Sequence, residues 1–366
     1  MIHPAPSLSD VDIPDVDIPD VDIPDIDIPD IDIPDIDVPG TVTSAIRRHV
    51  PSISASGYRR VLALALFLVS LIIFTGALVR LSGSGLGCPQ WPTCSVGQIL
   101  RAPNNHGRIE LFNRYLTGWI GAIVVVLGLT SVVRRPYRKA LVRLSLLLLV
   151  GVVGQALLGG LTVILKLKPQ AVMGHFLLSI ALLSAALVLH DRAAVDTDRP
   201  LALSVRRTDS WLARALALFG VLTVFAGTIV TSSGPHGGDE IAERFAFSMR
   251  DVARLHSLAA WLLVATVVGL ALRFRLARSA GERRLQRRIG QLLAATLVQG
   301  AIGYTQYLTQ VPAWLVAVHI LGVIAVWCTA LRVALPLWRA TPSSAPTASS
   351  APSWSRPTGA AATPAA

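Results

Sequence analysis

The amino-acid sequence predicts an all-α polytopic membrane protein, with eight transmembrane helices arranged as two pseudo-symmetric four-helix units in a parallel internal repeat. Three observations lead there. The 366 residues are 52% hydrophobic and only 15% charged, with a mean hydropathy of +0.58, too apolar for a soluble chain of this length. Eight stretches are each long enough to cross about 30 Å of hydrocarbon as a helix. Histidine and glutamine recur in register between the first four stretches and the last four.

In chain order, residues 1–57 form an acidic arm and a basic linker. From 11 to 39 a pentapeptide, VDIPD or IDIPD, repeats with Pro14, Pro19, Pro24, Pro29 and Pro34 in phase. Proline every fifth residue forbids a helix, and twelve Asp in the first forty residues repel one another, so this arm is expected to be disordered and extended. It reads as a tolerated low-complexity extension or as a docking tail for an assembly partner. An N-terminal unit, 58–190, holds spans at 61–79, 115–133, 144–165 and 171–189. A cytoplasmic linker, 191–210, leads to a C-terminal unit, 211–336, with spans at 211–231, 254–272, 290–308 and 313–335. The tail, 337–366, is Ser-, Pro- and Ala-rich and reads as disordered. No span alternates with a period of two, which argues against a β-barrel. The first span begins 60 residues in, without a small-residue cleavage site, and is expected to be a retained helix.

Basic residues orient the chain. Arg47, Arg48, Arg59 and Arg60 precede the first span, Arg134, Arg135, Arg138, Lys139 and Arg143 follow the second, and seven Arg from Arg273 to Arg288 follow the sixth. By the positive-inside rule both termini are cytoplasmic, and 80–114, 166–170, 232–253 and 309–312 face outward across the cell membrane. The net charge of +11 therefore faces anionic lipid headgroups, and nucleic acid is not an expected partner.

The internal repeat carries the chemistry. VGQALLGGLTVIL in the third span resembles LVQGAIGYTQYLT in the seventh, aligning Gln155 with Gln299. Twenty residues on stand His175, in GHFLLS, and His319, in VHILG. Counting back, His256 in RLHSLAAW lies 63 residues before His319, and Asn113 in IELFNR lies 62 before His175. Each unit thus offers two intramembrane positions, one in its second helix and one in its fourth. Two imidazoles on opposite sides of a bundle suit the axial ligation of a b-type haem; alternatively each is a satisfied polar residue joining helices. Zinc or copper fits less well, since no helix carries paired ligands four residues apart.

Cys88 and Cys94 bracket CPQWPTC in the first outward loop, where an oxidising setting favours a disulfide; a redox-active pair is the alternative. GSGLG at 83–87 lacks the strand, helix and glycine spacing of a nucleotide fingerprint. His106 and His236 lie in outward loops, while His3, His49 and His190 fall on the cytoplasmic side.

Together RLSGSGLGCP, IELFNR, GHFLLS, TSSGPHGGD, RLHSLAAW and VHILG resemble the haem A synthase family over roughly residues 58–335, in a bacterial, actinobacterial-like form. The resemblance implies an oxidoreductase that converts a methyl group of haem O to a formyl group for cytochrome oxidase assembly, with water as the oxygen source. It implies a haem b iron between His256 and His319, a substrate haem iron at His175, and a catalytic role for Glu110. It also implies the Cys88–Cys94 pair, haem O as substrate, and haem O synthase and oxidase assembly factors as partners; a homo-oligomer is compatible with it. Asn113 stands where many members carry a ligand histidine. His106, four residues before Glu110 on the same helical face, could replace it, as could a water ligand or none.

Read chemically, a partly desolvated Glu110 can exchange protons; read structurally, it complements a helix dipole. Arg80 and Arg114 can neutralise haem propionates or snorkel to headgroups. Two other functions fit some of these features: a bis-histidine haem electron carrier, and a parallel-repeat transporter with histidine proton relays.

Overall fold

The computed structural model describes residues 40–95, 102–194 and 206–339, so the VDIPD arm and the tail beyond 339 lie outside the described residues. Helices dominate: α1 (Gly40–His49), α2 (Ala55–Leu81), α3 (Asn105–Val133), α4 (Lys139–Ile164), α5 (Pro169–Ala194), α6 (Arg207–Ser233), α7 (Met249–Arg273), α8 (Ala280–Leu308) and α9 (Ala313–Arg339). The basic linker is not featureless. It holds α1 and a short strand β1 (Ile53–Ser54), which pairs in parallel with β2 (Arg134–Arg135). Arg47 fastens α1 in place, its Nε donating to the Val132 carbonyl at 3.2 Å and its guanidinium lying 4.2 Å from the Tyr137 ring centre.

Among the described residues seven helices, α2 to α7 and α9, are long and apolar enough to cross a membrane, which fits a multi-pass membrane protein. The eighth expected span, 290–308, falls in α8, which is 29 residues long. Its first turns carry Glu282 and four Arg, and its apolar face is interrupted by Gln291, Gln299 and Gln306.

The long helices close two rings. α2 packs on α3 and α5, and α4 on α3 and α5; likewise α6 packs on α7 and α9, and α8 on α7 and α9. The rings touch through α2 with α9 and α5 with α6 and α9. Leu127, Leu148, Leu183 and Leu189 are wholly buried in the first ring, and Leu216, Leu270 and Leu292 in the second. Between membrane helices such contacts hold by close packing rather than water exclusion. At one end of the second ring the fully buried Asp209 lies 2.8 Å from Arg273 Nε, joining α6 to α7.

Both rings turn the chain in the same way. Lys166 and Leu167 between α4 and α5, and Gln310 and Val311 between α8 and α9, adopt positive φ, a costly conformation for side-chain-bearing residues. Matching bonds stabilise it: Leu167 N–H donates to Thr162 O, and Val311 N–H to Gln306 O, each at 2.8 Å.

The sequence placed the second span at 115–133 and set Glu110, Asn113 and Arg114 at the start of its helix. The helix begins at Asn105, ten residues before that span. Asn104 caps it, its side-chain oxygen accepting the Gly107 N–H at 2.7 Å, a strong local start signal. All three polar residues therefore stand on α3 itself.

Candidate functional site

The second ring sets two imidazoles face to edge. His256 on α7 and His319 on α9 have ring centres 6.4 Å apart, with planes at 67°. Two imidazoles bound to opposite sides of one metal through bonds of about 2 Å have centres roughly 6 Å apart, so the separation fits a shared iron. His256 Nδ1 lies 3.0 Å from the Thr223 carbonyl. A carbonyl only accepts, so Nδ1 carries the proton and Nε2 keeps its lone pair, the form a metal needs. His319 Nδ1 is buried with no hydrogen-bond partner among the described residues. Its backbone carbonyl accepts from Gln299 Nε2 at 3.0 Å. Both rings lie over glycines: a methyl group on Gly227 or Gly303 would stand 3.1 or 3.2 Å from Cε1 of His256 or His319. Glycine here lets the helices approach closely enough for the rings to meet.

The first ring repeats half of this. His175 on α5 lies over Gly159 of α4, at 3.0 Å from a methyl group placed there. Its carbonyl accepts from Gln155 Nε2 at 3.0 Å, as in the Gln299–His319 pair. Gln155 Nε2 also reaches His175 Nε2 at 3.3 Å, while His175 Nδ1 is buried without a partner among the described residues. At the other position Asn113 is half-buried, and its Oδ1 accepts a 2.8 Å hydrogen bond from Thr75 Oγ1 on α2.

Glu110 is the centre of a clamp. Only 6% exposed, it accepts the Cys88 N–H at 2.7 Å through Oε2. Arg114, one turn along α3, donates to Oε1 from Nη2 at 2.5 Å and from Nε at 3.1 Å. Arg114 also donates to the carbonyls of Gln90 (2.9 Å), Thr93 (3.1 Å), Pro92 (3.4 Å) and Cys88 (3.4 Å). The Cys88–Cys94 disulfide, buried at both ends, closes the loop that these carbonyls belong to. Gly87 makes the arrangement possible, because any Cβ there would fall within 2.5 Å of the His106–Gly107 backbone. From this loop Trp91 packs against Gly160 of α4, next to the glycine beneath His175. The disulfide loop thus ties the carboxylate on α3 to the α4–α5 pair that carries the histidine.

The remaining expected residues lie elsewhere. His106 is exposed, and its Nδ1 lies 2.9 Å from Ser84 Oγ. Arg80 donates to the carbonyls of His236 at 2.8 Å and Thr231 at 3.0 Å, so it staples the end of α2 to the end of α6 and the segment after it. Gly85 N–H reinforces that link, donating to Gly238 O at 2.8 Å. His236 Nε2 lies 2.9 Å from the carbonyl of Val311, the strained turn residue of the second ring.

Reading the sequence missed Thr75, Trp91 and the three glycines under the imidazoles. The glycines had a signal: Gly159 and Gly303 each stand sixteen residues before their histidine. Thr75 had none, since its value lies in a partner 38 positions away.

A family model described as cytochrome oxidase assembly protein matches residues 59–108 and 103–331, and the chain belongs to that family. Its sequence is similar to the Heme A synthase of Shewanella oneidensis, 31% identical over 149 residues, 36% of this chain and 44% of the relative. It is also similar to those of Alkalihalophilus pseudofirmus, 26% identical over 167 residues (45% and 56%), and Listeria monocytogenes, 28% over 176 (46% and 56%). The chain spans about half the length of the curated relatives it matches.

Proposed function

We propose, with membership of the cytochrome oxidase assembly family as the premise, that this chain is a haem A synthase whose two rings do different work. The reading takes the eight long helices as eight spans in two parallel units, with both termini cytoplasmic and the Cys88–Cys94 loop outside the cell membrane. His256 and His319 would hold a haem b iron, and that haem would supply one-electron redox capacity. The first ring would receive haem O at His175. The observation that carries the proposal is the opposed His256–His319 pair at 6.4 Å, beside a first ring with the same glycine and glutamine supports but one histidine.

The net reaction removes four electrons and four protons from one methyl group: R–CH3 and H2O give R–CHO, 4 H+ and 4 electrons, the electrons leaving to an external one-electron acceptor. Protons must go somewhere, and Glu110 is the carboxylate closest in the chain to the Asn113 position. Held by Cys88 N–H and Arg114, it can accept a proton from attacking water and pass it to the outward loop. Arg114 keeps the carboxylate aimed and the loop closed. Trp91 walls the α4 side.

Incubating the purified protein with haem O and an oxidant, then separating the extracted haems, tests this. Glu110→Ala should cut formyl product by about 10²-fold or more while the bound haem's spectrum stays unchanged. Full product formation in that variant would remove Glu110 from the reaction, and no product from the wild type would contradict the proposal. A pure electron carrier would show the spectrum without the product.

A further inference from the structure

The rings differ at one glycine. Gly159, Gly227 and Gly303 each carry an imidazole, with methyl-to-Cε1 separations of 3.0, 3.1 and 3.2 Å. Gly76 occupies the same frame as Gly227, IFTGALV against VFAGTIV, yet a methyl group there would meet nothing within 4 Å. The place that His256 fills in the second ring is open in the first.

Asn113 does not fill it. Thr75, next to Gly76, draws the Asn113 oxygen to itself with a 2.8 Å hydrogen bond; the matching residue in the other frame is Ala226, which has no hydroxyl. With the oxygen so engaged, Asn113 presents its amide NH2, which donates hydrogen bonds but has no lone pair to give a metal. Thr223, whose carbonyl anchors His256 Nδ1 at 3.0 Å, corresponds to Ile72, and the Thr75 hydroxyl lies 3.4 Å from the Ile72 carbonyl. The open place over Gly76 thus adjoins Thr75, whose hydroxyl holds Asn113, a setting suited to a small neutral molecule.

We infer that Asn113 is a positioning residue rather than an iron ligand: with Thr75 it keeps the niche over Gly76 open for a water molecule on the side of the substrate haem away from His175. This inference rests on the haem A synthase reading. It gives the reacting ring a site for the oxygen donor that the second ring, closed by two imidazoles, lacks.

Spin state reports the ligand directly, because iron with two imidazoles is low-spin, whereas iron with one imidazole and a water is high-spin. The full chain, loaded with ferric haem and followed by visible and electron paramagnetic resonance spectra, should show one low-spin and one high-spin haem. Excess imidazole, small enough for the niche, should convert the second to low-spin. Asn113→His should do so without imidazole, and Gly76→Val should block the imidazole response. A second haem that is low-spin in the untreated wild type would overturn the inference, as would one that ignores both imidazole and Asn113→His. Uptake of one haem only, unaffected by His175→Ala, would instead overturn the substrate-site reading beneath it, and the inference with it.

Discussion

The two rings share a frame and differ in what they leave available. In the second, a glycine lies under each of two histidines, whose imidazoles meet face to edge with centres 6.4 Å apart. In the first, one histidine lies over its glycine, the other glycine is bare, and a buried carboxylate bonded to a disulfide loop stands three residues from Asn113 on α3. Under the proposed function, the closed pair of imidazoles holds an iron through many cycles, and the open position beside Glu110 is where the substrate changes. The comparison teaches that one helical frame, with its glycine and glutamine supports, can present two imidazoles in one ring and a single imidazole beside an asparagine in the other.

Removing histidines should break the comparison most sharply. His256→Ala and His319→Ala should each abolish the low-spin haem spectrum of the purified protein. His175→Ala should leave that spectrum intact while eliminating conversion of haem O. Equal spectral loss in all three variants would erase the proposed division.

Opening the disulfide should act on one ring only. Replacing Cys88 and Cys94 by Ser removes a cross-link worth about 2 kcal/mol for so short a loop and loosens the carbonyls gripped by Arg114. Product formation should fall roughly tenfold, with the second ring's haem absorbance unchanged. Thermal denaturation followed at that haem band measures whether the effect spreads.

A methyl group sharpens the comparison further. Gly227→Ala and Gly303→Ala force their imidazoles aside by a few tenths of an ångström, since contacts of 3.1 and 3.2 Å are too tight for a Cβ. A shifted haem potential and a stability loss of about 1 kcal/mol are expected. Gly76→Ala meets open space and should be neutral or slightly stabilising, because alanine favours the helix by up to about 1 kcal/mol. Equal effects at all three would mean that the niche is closed in solution.

The smallest difference lies where α4 and α8 begin. Glu282 accepts N–H bonds from Arg278 at 2.8 Å and Ser279 at 3.0 Å, and these hold its carboxyl below the ordinary carboxylate range. A group whose folded pKa is lowered stabilises above its unfolded pKa and loses that contribution as pH falls through the folded one. Acidification through and below the ordinary carboxylate range should therefore loosen the start of α8. α4, whose start has no side-chain cap, should show no counterpart. Hydrogen exchange of the first-turn amides should resolve this, and Glu282→Gln should remove the pH dependence at α8.

Much of this was legible in the sequence, for identifiable reasons. Apolar runs of about twenty residues have one cheap conformation in lipid, so the long helices were readable, and Gln155, Gln299, His175 and His319 betrayed the shared frame because identical spacing survives in one dimension. The disulfide was readable from Cys88 and Cys94 alone. The start of α3 was not, because hydropathy marks where lipid begins rather than where hydrogen bonding begins, and Asn104 sets the latter. Arg114 looked free for propionates or headgroups, but its partners are backbone carbonyls that no sequence pattern displays. Arg80 was hidden likewise, since its partners, Thr231 and His236, lie more than 150 positions away.

The central claim is that this chain makes haem A in one ring with the help of a haem held in the other. Haem extracted from cells that lack the gene, separated and identified by mass, tests it most directly. Haem A should disappear and haem O accumulate, the wild-type chain should restore haem A, and the His175→Ala chain should not. Haem A persisting in the deletion strain without a rise in haem O would contradict it.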